Sequence, residues 1–218
     1  MRYVAQRYAV RLFVALLVTQ FIALATAQDA ADKKPRVAAI VSAYYHNSHA
    51  DVIVSRLLEG YTLDGKGDFP QLELVSLFTD QVPDNDKSRD LMKRHNVPIF
   101  ETVRGALTLG GDELAVDGVL LVAEHGKYPR SETGQIIYPK RRLFDAIVKV
   151  FEATGASVPV FVDKHLADNW TDAKHVYDTS KRLGFPIMAG SSLPVLWRYP
   201  PADVPRGAKV DQIVAVSY

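Results

Sequence analysis

A chain of 218 residues with 26 Lys and Arg against 25 Asp and Glu carries a formal charge of +1. It has no basic surplus of the kind a nucleic-acid surface needs. The absence of cysteine excludes disulfides and thiolate-held metals.

Residues 1–27 read as an export signal. Arg2, Arg7 and Arg11 form a basic lead with no acid, residues 12–24 are almost wholly apolar, and Ala25-Thr26-Ala27 offers a small-x-small cleavage site before Gln28. The apolar run is short for a membrane span and Thr19-Gln20 interrupts it. No adjacent Arg-Arg pair marks a twin-arginine route, so a general secretory route to the periplasm or medium is expected, with no stable membrane span after cleavage. Loss of three arginines and no acid turns 26 basic against 25 acidic residues into 23 against 25, a formal charge of −2.

Residues 28–35 are a polar, flexible lead-in, and 36–218 are expected to form one domain. Residues 37–43 are continuously apolar, as in a strand buried on both faces. Ser48-His49-Ala50-Asp51 then gives a capping pattern, with Ala50, Ile53, Val54, Leu57 and Leu58 at helical spacing. A second strand is expected over 72–78, ending at Thr79-Asp80. A short polar helix over 87–95, a brief strand over 97–100 and a helix over 102–109 follow. The strand at 119–123 ends in Glu124-His125-Gly126. Residues 127–140, with Tyr-Pro twice and an internal Gly, form an extended excursion, either a lid over a ligand or a surface hairpin.

Leu143, Phe144, Ile147, Val148 and Phe151 mark an amphipathic helix closed by Gly155. Residues 160–163 make a buried strand that runs into Lys164-His165. The helix after it is expected to place Trp170, Ala173, Val176, Tyr177 and Leu183 on one face, with the two aromatics in the core. A strand ending in Gly190-Ser191-Ser192 completes a βαβ unit, and 209–216 look like a last strand. This alternation predicts a single α/β domain with a doubly wound, mostly parallel, Rossmann-like sheet.

Val160 to Leu166, reading Val-Phe-Val-Asp-Lys-His-Leu, the helix after it and Ala189-Gly190 resemble the nucleotide-binding half of the Gfo/Idh/MocA oxidoreductases. His49 just after the first loop, Asn96-Val97-Pro98 with Phe100, and Asp117-Gly118-Val119 extend the resemblance over 36–193. It implies that Lys164 lies beside nicotinamide and substrate and acts in proton transfer. Asp163 stands where the family has Glu, and His165 where it has Pro. Asp80 is placed to hold a ribose. The first loop departs from the family pattern. It reads Ser42-Ala43-Tyr44-Tyr45-His46-Asn47-Ser48, with no glycine to let backbone approach a pyrophosphate, and its two tyrosines crowd that position. The family's second domain has no counterpart, which leaves room for a partner domain or a homo-oligomer. NAD(P) is therefore disfavoured, and the cofactor is left unassigned.

Open parallel sheets place ligands at the carboxyl ends of their strands. There the sequence collects candidate catalytic residues Lys164, Asp163 and His165, and candidate ligand-binding residues His46, His49, Asp80, Glu124, His125 and Ser191. Three readings follow. One is an acid/base site for a small sugar-like or anionic molecule. Another is a non-enzymatic ligand-binding or partner-binding domain. The third is a metal-dependent enzyme using these histidines and carboxylates. His46-x-x-His49 is no recognised metal signature, so no metal ligands are assigned. The plainest alternative leaves them as strand-end residues without chemistry, with His49 helping to cap its helix and Asp163 paired to Lys164.

Overall fold

Five strands, β1 (Arg36–Val41), β2 (Glu73–Thr79), β3 (Gly118–Val122), β4 (Val160–Asp163) and β5 (Ile187–Gly190), form one parallel sheet in the order β2-β1-β3-β4-β5. The computed structural model describes residues 33–61, 66–190, 205, 207–212 and 214. Ser191 and the expected signal segment lie outside the described residues, as does most of the stretch after Gly190. Of the strand-like stretch 209–216, residues 209–212 and 214 are described and carry no strand. Among the described residues no helix is long and apolar enough to cross a membrane.

Strand period sorts the core into two layers. Val37, Ala39 and Val41 of β1 face α1 (His49–Glu59) and α2 (Ser88–Arg94), meeting Ala50, Val54, Leu91 and Met92. Ala38 and Ile40 face the other way, onto α3 (Val103–Thr108), α4 (Lys140–Thr154) and α5 (Trp170–Leu183). There Leu143, Phe144, Ile147, Val148 and Phe151 of α4 are all buried, as their spacing required. Burying side chains of this kind contributes roughly 1.5–3 kcal/mol each. Gly155 closes α4 at φ 66°, a left-handed conformation that costs glycine nothing.

Two expected features differ. Residues 97–100 make no strand, only a single parallel bridge from Ile99 to Leu77, held by Leu77 N to Pro98 O and Phe100 N to Leu77 O. Pro98 has no N–H to extend the ladder. Even so, this bridge places the segment outside β2, which gives the strand sequence of a doubly wound sheet.

Trp170 and Tyr177 are not core residues: they are 78% and 53% exposed. At 3.6 residues per turn, Val176, Thr179 and Ser180 define the buried stripe of α5, and the two aromatics fall roughly 100–120° away from it.

Candidate functional site

The chain order reverses between β1 and β3, so the residues following these strands meet at one crevice. The Ser42 hydroxyl lies 2.5 Å from the Glu124 carbonyl and 2.8 Å from that of His125, tying the two strand ends together. His125 takes a positive φ of 74°. Its Nδ1 accepts the backbone N–H of His49 at 3.3 Å, which assigns the ring proton to Nε2. Burial lowers the His125 pKa. The Lys164 charge, and that of His49 when it is protonated, lower it further, against the opposing pull of Glu124 and Asp163. The His49 and Tyr45 rings meet it edge-on.

At the end of β4, Asp163 Oδ2 lies 2.6 Å from His49 Nδ1, with the carboxylate buried and the imidazole 27% exposed. An ionised carboxylate only accepts, so Nδ1–H donates and Nε2 keeps its lone pair. This corrects the expected Asp163–Lys164 pair: the carboxylate serves a histidine 114 residues away in sequence. His49 in turn is not the helix cap. Ser48 is the cap, its side chain accepting from Asp51 N.

The Lys164 carbonyl accepts from Lys140 Nζ at 3.1 Å. The Lys164 ammonium, half-buried, has no ion-pair partner among the described residues. A cavity of about 690 Å³ lies against this end of the sheet, with Asn47, His49, Val52, Phe161, Lys164 and Met188 in its wall.

The remaining sequence candidates sit around this centre. Glu124 Oε1 is 3.0 Å from Lys140 Nζ, and both side chains are almost fully buried. The contact is one of charge, because Oε1 makes no aligned hydrogen bond. His165 lies beside it, Nδ1 3.5 Å from Glu124 Oε1 and Nε2 3.1 Å from Asp168; it is not part of the cavity wall. His46 is excluded from the crevice. Asn47 turns the chain at φ 62°, leaving His46 79% exposed and 3.7 Å from Asp51. Among the described residues no three His, Asp or Glu side chains converge as a metal site.

The β1 end is filled by the protein's own groups. Tyr44 does not crowd the loop as expected: it is fully buried against α1, its hydroxyl 2.7 Å from Ser55. Asp51, in the first turn of α1, accepts from Asn47 N at 2.9 Å, from Lys87 Nζ at 2.7 Å and from Ser55 at 3.0 Å. Burial alone would raise its pKa, but these bonds and the Lys87 charge hold it below the usual carboxylate value.

Asp80 is engaged by Tyr128 at 2.7 Å and Arg142 at 2.6 Å. Gln81 holds both the N–H and the carbonyl of Lys127 at 2.9 Å. The excursion is thereby strapped over the ends of β1 and β2. Gly126, at φ 116°, permits the strap, because a Cβ there would stand 2.5 Å from the Tyr128 ring.

These residues do not fit a dinucleotide. A pyrophosphate needs free N–H groups at the helix start. Here Ser48, Asp51 and His125 already take those of Asp51, Asn47 and His49, and the Asp51 carboxylate would repel phosphate. Asp51, Lys140, Tyr128 and Arg142 are not legible in these roles from sequence. Their only common mark was a charged or hydroxylated residue next to a strand end or helix start.

No family model matches the chain, and no curated protein matches it. Solved structures do. Biliverdin reductase from Synechocystis sp. PCC 6803, in complex with biliverdin and NADP+, is 12% identical over 74% of this chain and 39% of its own, with a TM-score of 0.46. A Gfo/Idh/MocA family oxidoreductase from Vibrio cholerae is 20% identical over 72% and 38%, with a TM-score of 0.45. An NAD-binding protein from Listeria innocua is 18% identical over 72% and 35%, with a TM-score of 0.42. The chain is similar to oxidoreductases of the Gfo/Idh/MocA type. It spans less than two fifths of the length of these structures, and the likeness is one of fold, not of activity.

Proposed function

We propose that this is an exported protein whose Rossmann-type crevice takes a small sugar-like or anionic ligand and serves it by acid/base chemistry, without nicotinamide-dependent dehydrogenation. The observation that carries the reading is the 2.6 Å bond from His49 Nδ1 to Asp163. A carboxylate that holds Nδ1–H fixes the tautomer, leaves Nε2 as proton acceptor and stabilises the imidazolium once formed. His125 supports this from beside it as a neutral ring with its proton on Nε2, and the Lys164 ammonium supplies charge for an anionic group. The lack of fit to a dinucleotide at Asp51 and Asp80 supports the second half of the reading. Export rests on the amino-terminal pattern of Arg2, Arg7, Arg11 and Ala25-Thr26-Ala27.

Thermal unfolding with and without ligand tests it. NADH and NADPH at millimolar concentration should leave the melting temperature unchanged. A member of a panel of sugars and small carboxylates should raise it, and His49→Ala should abolish that rise. Ligand at a hundredfold excess over Kd adds roughly 2.7 kcal/mol, well within reach of the method. Stabilisation by either dinucleotide would overturn the reading.

A further inference from the structure

Resting on the acid/base reading above, the wall of the cavity narrows the ligand class. Among the described residues each carboxylate near Lys164 already has a cationic or imidazole partner: Asp163 has His49, Glu124 has Lys140 and Asp168 has His165. The Lys164 ammonium is left on the wall without an ion-pair partner among the described residues, while the Asp163 carboxylate beside it is turned to His49. Away from Asn47, His49, Asp163 and Lys164, the described part of the wall is apolar. Val52 and Met188 are 50% and 70% exposed, and Ile53 and Phe161 also line the cavity.

A sugar presents hydroxyls over its whole rim and would strand most of them against this surface. A carboxylate with an apolar body satisfies both halves. We infer that the ligand is a small monocarboxylate with an apolar body, its anion on Lys164 and its body along Val52, Phe161 and Met188.

Calorimetric titration of the intact protein with phenylpropanoate, propanoate, phenylpropanol and glucose tests this. Phenylpropanoate should bind, with propanoate and phenylpropanol each about tenfold weaker or worse, since each lacks one half of the match. Lys164→Met should weaken phenylpropanoate about tenfold or more, and Lys164→Arg should retain it, with circular dichroism confirming both folds. Val52→Asp should weaken it through like charge. Unchanged affinity in Lys164→Met overturns the inference. Binding of glucose but not phenylpropanoate overturns it too, while leaving the acid/base reading standing. Binding of none of the four also overturns the inference, and the thermal-unfolding panel then decides the acid/base reading separately.

Discussion

The ends of β1 and β4 occupy equivalent places in one sheet and have opposite characters. At the start of α1, after β1, the protein's own groups are bound to one another: Ser48 takes the N–H of Asp51, Asp51 takes Lys87 and Ser55, and at the neighbouring β2 end the strap from Gly126 covers Asp80. At the β4 end one bond orients His49, while Lys164 and an apolar wall are left toward a cavity. The difference teaches that a Rossmann-type sheet offers several strand-end sites, and that a chain can close one with its own side chains while another stays available.

Substitutions at the closed parts should therefore cost stability, and those at the open part should cost ligand response. The largest effect is expected beneath the crevice, where Lys140 and Glu124 are buried together. Lys140→Met leaves a buried carboxylate unpaired and should destabilise by about 3–5 kcal/mol in chemical denaturation. Lys140→Met with Glu124→Gln should recover part of that loss. A double variant no better than the single one would show that the pair does not act as a unit.

Next comes Asp51→Ala, which strands Lys87 and frees the α1 start, at about 2–3 kcal/mol. Asp51 has a depressed folded pKa, so its contribution is present above its unfolded value near 3.8 and is lost as pH falls through the lower folded value. The wild type should lose more stability than Asp51→Ala over that acid range. Parallel curves would mean Asp51 is not the plug described. His125, also depressed, adds a loss that begins as pH falls below its unfolded value near 6.5.

Tyr128→Phe removes one hydrogen bond to Asp80 and should cost about 1 kcal/mol. A negligible effect would mean the strap is held by Gln81 and Arg142 alone. Smallest in stability is His49→Gln, whose amide can still donate to Asp163, at under about 1 kcal/mol, although it should remove the ligand response entirely. A large loss of stability with ligand binding intact would reverse the comparison between the two ends.

Much of the fold was legible because local rules and global packing agree. The apolar runs of β1 and β3, the Ser48 cap and the stripe of α4 all read directly from the sequence. Trp170 and Tyr177 lie outside the core because helical angle, and not aromatic size, decides which side of α5 is buried. The strand at 97–100 shrank to a bridge because Pro98 lacks a donor. At the site, Asp163, Lys164 and His49 stood out one by one as strand-end residues. Their pairing did not, since nothing local links His49 to Asp163: only the sheet order does. His46 misled for the complementary reason, since it is close in sequence and turned outward by Asn47.

The central claim is that Asp163 holds His49 with Nε2 free while His49 holds His125 with its proton on Nε2. A long-range proton–nitrogen correlation spectrum of the imidazoles near neutral pH reads both tautomers directly. The account predicts His49 protonated on Nδ1 and His125 on Nε2. Nδ1 unprotonated in His49, or carrying the proton in His125, would contradict it.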